Sequence, residues 1–144
     1  PHLFWVPDIL VCNGWQSALI PNYYKNEYEG ISDFYKKIKT VLVVHDLDDY
    51  SKVDRSDLAK MGVEIDPKIK GNKLSIYDVA SYNADAILIM DRPGEKNSTK
   101  LLKKAAFKDN QKKITVFEQE DLEDIDFYAM TESLNQIVSD ITSK

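Results

Sequence analysis

The chain has 144 residues, 43% of them hydrophobic and 10% aromatic, with a formal net charge of −5 and one cysteine, Cys12. That is long enough for a single domain (1–144) with a real core, too apolar and aromatic for a disordered segment, and too acidic for a nucleic-acid footprint. A lone cysteine excludes an intramolecular disulfide, no apolar run reaches membrane-spanning length, and no signal peptide is visible, so neither nucleic acid nor membrane is expected as a partner and the expected location is cytoplasmic.

The first apolar run, Asp8–Cys12, reads as a strand that stops at Asn13-Gly14 and hands over to a helix beginning at Trp15. Asn13 is a plausible N-cap, Trp15, Ala18 and Leu19 share a face, and Pro21 should kink or restart the helix. A short helix around Ser32–Ile38 precedes a second strand, Thr40–His45. Residues 46–73 are the least regular stretch, a long polar connection holding a small helix at Arg55–Met61 that Gly62 ends. Long connections of this kind are often functional. Leu74–Asn83 then carries two helical stripes, of which only Ile76, Val79, Ala80 and Asn83 is mostly apolar. The third strand is Ala86–Met90, followed by a helix over Ser98–Phe107 and a fourth strand at Ile114–Phe117. The last helix, Phe127–Ile141, has the strongest periodicity, with Phe127, Met130, Leu134, Ile137, Val138 and Ile141 on one face.

Each strand is a continuous apolar run, as in strands covered on both faces. Alternation with helices predicts an α/β fold, a Rossmann-like three-layer α/β/α arrangement around a four-stranded parallel sheet. Right-handed crossovers place the carboxyl ends of the strands on one edge. That edge gathers Asn13-Gly14, His45-Asp46, Asp91-Arg92-Pro93-Gly94 and Glu118-Gln119, and ligands of parallel α/β sheets are met there.

Pro7-Asp8-Ile9-Leu10-Val11-Cys12-Asn13-Gly14-Trp15-Gln16-Ser17-Ala18-Leu19-Ile20-Pro21 resembles the Pro-Asp-Ile-(Ile/Val)-His-x-(His/Asn)-Asp-Trp-(His/Gln)-Thr-Ala-Leu-x-Pro segment of glycogen and starch synthases. Ile38 to Leu47 resembles that family's Lys-(Thr/Ser)-Val-Phe-Thr-Ile-His-Asn-Leu strand. Tyr23-Tyr24-Lys25 and Leu74 to Asp85 resemble two of its helix ends, the second retaining Ala84-Asp85. The resemblance covers most of residues 6–92. It implies half of the N-terminal domain of a two-domain GT-B glucosyltransferase, which moves glucose from ADP- or UDP-glucose to an α-1,4-glucan.

It also implies losses. Gly14 stands where the family has an acidic residue, Asp78 where it has a helix lysine, and Ser51 follows Tyr50 where it has Gln-Gly. The family's Lys-x-Gly-Gly loop and its whole second domain have no counterpart in these residues. Positions kept are mostly packing positions and positions lost are mostly polar. The implication is a domain of α-glucan synthesis with a degenerate active site, inactive as this isolated chain, and no catalytic residue is assigned. The opening residue, Pro1 rather than Met, suggests a processed, fragmentary or engineered product.

The substrate-binding candidates are Asn13, Gly14, Trp15, Gln16, His45, Asp46 and Tyr50. Trp15 either stacks on a sugar ring or anchors the first helix to the sheet. His45 either hydrogen-bonds a sugar hydroxyl or phosphate or serves the fold. Asn13-Gly14 could present backbone N–H groups to a ligand or form a plain turn. Asp46, Asp48 and Asp49 have nonspecific spacing for a cation, so no metal is assigned, and without a Gly-rich phosphate fingerprint no cofactor is expected. Asp91-Arg92-Pro93-Gly94 reads as a turn, with Arg92 a minor anion-ligand candidate. Lys100, Lys103, Lys104, Lys108, Lys112 and Lys113 read as a solvated helix face.

Three function classes follow. One is a glycogen/starch-synthase-like domain that meets an α-glucan or ADP-glucose. Another is a non-catalytic glucan-binding or assembly module, forming a homo-oligomer or meeting an upstream domain through an unpaired first strand. The third is a flavodoxin-like domain similar by convergence.

Overall fold

A computed structural model describes residues 5–120 and 126–143; Pro1 and residues 121–125 of the acidic stretch after Gln119 lie outside them. In chain order the elements are β1 (Ile9–Asn13), α1 (Ile20–Tyr23), α2 (Asp33–Lys36), β2 (Lys39–Val44), β3 (Lys52–Asp54), α3 (Arg55–Lys60) and β4 (Lys73–Ser75). They continue with α4 (Ile76–Asn83), β5 (Ala86–Asp91), α5 (Asn97–Leu101), α6 (Ala105–Asp109), β6 (Ile114–Glu118) and α7 (Phe127–Thr142).

The main sheet has four strands in the order β1-β2-β5-β6. All of its pairings are parallel, with Val11 opposite Val41, Val43 opposite Leu88 and Met90 opposite Phe117. This is the three-layer α/β arrangement that the sequence predicts. On one face Leu42, Val44, Ile87 and Ile89 pack against Tyr77 and Ala80 of α4, Leu101 of α5 and Phe107 of α6. On the other, Val41, Val43, Ala86, Leu88 and Phe117 pack against Ile137 of α7, with Met130, Leu134 and Ile141 alongside. Each such aliphatic side chain, once fully buried, contributes about 1.5–3 kcal/mol.

Only β2 and β5 are covered on both faces. β1 and β6 lie at the sheet's edges, and Val11 of β1 is 54% exposed although Ile9, two residues before it, packs against the α7-side core. An apolar run therefore marks a strand here without marking its depth.

Four local expectations are corrected. Asn13 is the last residue of β1 and not an N-cap; a single 3-10 turn, Trp15–Ser17, follows, and Pro21 sits in the first turn of α1, which restarts the helix. Leu74 belongs to β4, which pairs antiparallel with β3. That two-stranded sheet closes the long connection over a satellite core of Leu58, Val63, Ile69, Leu74 and Val79. The helix expected over Ser98–Phe107 is two helices, broken where Lys104 is extended (ψ 141°). The break has a packing reason: Leu101 and Phe107 are both fully buried in the same core, and one continuous helix would point them about 120° apart. Last, Phe127 is exposed, so the packing face of α7 begins at Ala129 and Met130. Its start is fixed by Asp126, whose Oδ1 accepts from the Ala129 N–H at 2.9 Å.

No helix among the described residues is long and apolar enough to cross a membrane. Cys12 is buried in β1, and burial pushes its thiol up to about 11. At pH 8 the native chain should therefore react with a disulfide reagent roughly a hundredfold more slowly than the same chain in denaturant. Absorbance-monitored thiol titration with and without guanidinium checks this.

Candidate functional site

Because the strands are parallel, Asn13, Val44, Asp91 and Glu118 all end on one edge. The turn after β1 is built on Gly14, whose φ of 71° suits glycine. Its N–H donates to the Val43 carbonyl at 2.9 Å, tying the turn to β2. That donor is spent on the fold, which removes it as a ligand contact. A Cβ at this position would lie 2.9 Å from His45 Nε2 and 2.9 Å from Gln16 Oε1. The volume that a side chain would need at residue 14 is thus taken by the imidazole and the amide.

His45 follows β2 directly. Its Nδ1 lies 2.8 Å from Asp46 Oδ2, both groups partly exposed. The carboxylate holds the Nδ1 proton, so in the neutral ring Nε2 is the acceptor, and it faces the Gly14 turn. Trp15 and Tyr50 stack with ring centroids 6.3 Å apart at 25°. Tyr50 is 74% exposed, leaving one face of the pair open to solvent. The geometry thus brings Gly14, Gln16, His45 and Asp46 together, and Trp15 with Tyr50. Asn13 is exposed, and what the turn uses is its carbonyl, which accepts from Ser17 Oγ at 2.8 Å.

Arg92, read from the sequence as a minor anion-ligand candidate, and two residues that the sequence reading passed over, Asn97 and Tyr77, complete the edge. Arg92 Nη2 donates to the His45 carbonyl at 3.1 Å and to Glu95 Oε2 at 3.1 Å, so its guanidinium serves the turn. Asn97 is fully buried, and its Nδ2 bridges the carbonyls of His45 (3.3 Å) and Met90 (3.0 Å). Together they pin the backbone on which His45 sits. Tyr77, fully buried in α4, makes no well-formed hydrogen bond through its hydroxyl. Burial first and the neighbouring Asp46 carboxylate second raise its pKa, so the phenol stays protonated against Asp46. The only sequence signal for Asn97 is a polar residue opening the helix after β5, and Tyr77 falls on the stripe judged less apolar.

The other acidic candidates have local partners. Asp91 is buried and accepts from the Ser98 N–H (2.8 Å) and Oγ (2.5 Å), capping α5. Asp49 pairs with Lys52 at 2.6 Å and Asp78 with Lys104 at 2.9 Å, the latter drawing one lysine out of the basic cluster. Among the described residues no group of three His, Cys, Asp or Glu could hold a metal ion. Chemically, the edge offers an aromatic face, an imidazole acceptor oriented by a carboxylate, and an amide.

Comparison with known proteins adds the family. Residues 1–94 match the starch synthase catalytic domain. The chain is similar to the glycogen synthase of Lachnospira eligens, 34% identical over 92 residues, which are 64% of this chain and 19% of that protein. It is similar to the Clostridium perfringens glycogen synthase at 36% over 89 residues, 61% of this chain and 18% of that one. The Alkaliphilus metalliredigens glycogen synthase is 45% identical over 47 residues, 33% of this chain and 10% of its own. The chain spans about a fifth of the length of the first of these relatives. The matched stretch runs from β1 through β5 and takes in every substrate-binding candidate. With well over half of its length matched, this chain belongs to the starch synthase catalytic domain family of glycosyltransferases.

Proposed function

We propose that the carboxyl edge of the sheet binds glucosyl units, those of an α-glucan or of a sugar nucleotide such as ADP-glucose, and that the 144-residue polypeptide by itself does not transfer them. The observation that carries this reading is the open Trp15–Tyr50 pair beside the His45–Asp46 dyad. A sugar ring presents an apolar C–H face to an aromatic ring and hydroxyl donors to a neutral imidazole nitrogen. Asn13 and Gln16 flank that position. The names of the similar proteins support the substrate class. Residues 1–144 act as one domain in this reading, and a cytoplasmic location, where sugar nucleotides are made, accords with it.

Transfer asks for more than binding. The departing diphosphate gathers negative charge that donors or cations must already be placed to meet. On this edge Arg92 faces the His45 carbonyl and Glu95, and the Gly14 N–H faces Val43. Incubating the 144-residue chain with ADP-[14C]glucose and glycogen should give no incorporation above a protein-free blank; measurable incorporation defeats the inactive reading. Titration with maltoheptaose should perturb the Trp15 side-chain NMR signal. Tyr50→Ala should weaken that binding by about three- to tenfold, the scale of one aromatic contact. An unchanged affinity would remove the stacking role.

A second reading, an assembly module, is favoured by β1. Among the described residues β2 is its sole neighbour. Its five residues carry no charge, proline or bulge to discourage pairing. In this reading another strand, from a second copy or from an upstream domain, extends the sheet at β1. Light scattering should then report a dimer at micromolar concentration that Val11→Lys converts to a monomer. A monomer at all concentrations counts against self-pairing.

A further inference from the structure

Unpartnered polar atoms gather under one stretch of the molecule. Among the described residues, the buried side-chain atoms without a hydrogen-bond partner are Asn22 Oδ1, Tyr77 Oη, Arg92 Nε and Asn97 Oδ1. All but the first belong to side chains around His45 and Asp46. Arg92 and Asn97 hold the His45 carbonyl through their other nitrogens, and Tyr77 reaches Asp46 from α4. Folding gains nothing from a buried hydroxyl left unpaired, since a phenylalanine ring would fill the same space without the desolvation cost. Such groups call for another explanation, and their gathering at a binding edge supplies a functional one.

Tyr77 links the two halves of that edge. It is fully buried, with its hydroxyl beside the Asp46 carboxylate and the Trp15 backbone. Asp46 itself is lightly held. Its Oδ2 meets His45 Nδ1 at 2.8 Å, while its Oδ1 accepts from the Asp48 N–H at 3.4 Å, the far end of hydrogen-bond range. The carboxylate is partly exposed, so water competes for it. The buried phenol is a donor that water does not reach. Contacts of this kind are often long or misaligned in a free protein and tighten when the ligand docks.

We propose that Tyr77 is a positioning residue of the glucosyl site: its hydroxyl anchors the Asp46 carboxylate, which keeps the proton on His45 Nδ1 and leaves Nε2 to accept from a ligand hydroxyl. This rests on the glucosyl reading and adds to it a residue that the ligand does not touch. With the anchor, the dyad presents one defined acceptor to the sugar. Without it, the carboxylate turns toward water and the imidazole proton redistributes between the two nitrogens. A ring that carries the proton on Nε2 has lost the acceptor. Because the hydroxyl has no partner in the free protein, its removal costs the fold nothing.

Tyr77→Phe removes the oxygen and keeps the ring. Its thermal midpoint should equal or exceed that of the wild type. Its affinity for maltoheptaose, by titration calorimetry, should fall about fivefold, the scale of one hydrogen bond. At saturating maltoheptaose, the ring-nitrogen NMR signals of His45 should show Nδ1 protonated in the wild type and a mixture of tautomers in the variant. Tyr82→Phe is the control. That tyrosine also lies on α4, but its hydroxyl is bonded to Asp109 at 3.0 Å, and its loss should leave affinity and ring signals unchanged. A lower midpoint for Tyr77→Phe assigns the hydroxyl to the fold and overturns the proposal. Equal affinities, or equal ring signals, overturn it and leave the glucosyl reading standing. A wild-type chain that binds neither maltoheptaose nor ADP-glucose overturns the glucosyl reading and the role of Tyr77 with it.

Discussion

The pairing of β2 with β5 governs what can meet at either edge of this molecule. Val41 to Val44 lie in parallel register with Ala86 to Ile89, nearly all buried, with a helix layer on each side. A slip of one residue would send every one of these side chains to the opposite face and lose both cores at once. With the register fixed, the residue after β2 must stand beside the residues after β5. His45 thereby comes within reach of Arg92 and Asn97. The same register at the other end sets Thr40 against Asp85 and leaves Lys113 to the Ala84 carbonyl.

Gly14 shows how this family's edge is arranged in the present chain. The resemblance sets an acidic residue at that position, and the geometry gives a physical account of its replacement. The imidazole, drawn to Asp46, and the Gln16 amide fill the space that a side chain would need. Restoring a carboxylate at residue 14 would require a non-glycine residue to hold φ 71°, the larger obstacle, and the tips of the Gln16 and His45 side chains to swing aside.

The strands were legible to within a residue or two because continuous apolar runs bounded by polar residues leave few alternatives. The period of α7 was equally clear, although its first turn carries exposed Phe127 and Tyr128. The carboxyl edge was legible too, since parallel topology alone brings Gly14, His45 and Asp91 together. What the sequence hid depends on tertiary contact. β3 and β4 are three residues each and pair across the α3 connection, too short and too distant for alternation to register. The α5–α6 break exists because two apolar residues must reach one core. Tyr77 and Asn97 are polar groups whose place is set by what surrounds them, and no local pattern announces that.

The strand order has one more consequence. β1, β2, β5 and β6 follow one another across the sheet, and the helices connecting β2 to β5 and β5 to β6 pack on a single face. The opposite face is left to α7, the element made after β6. During synthesis, then, Val41, Val43 and Leu88 stay bare until residues 127–142 have emerged from the ribosome. Between the completion of α6 at Asp109 and the docking of α7, the nascent chain carries a finished helical side and an unfinished oily one, a target for chaperones that vanishes when one amphipathic segment docks.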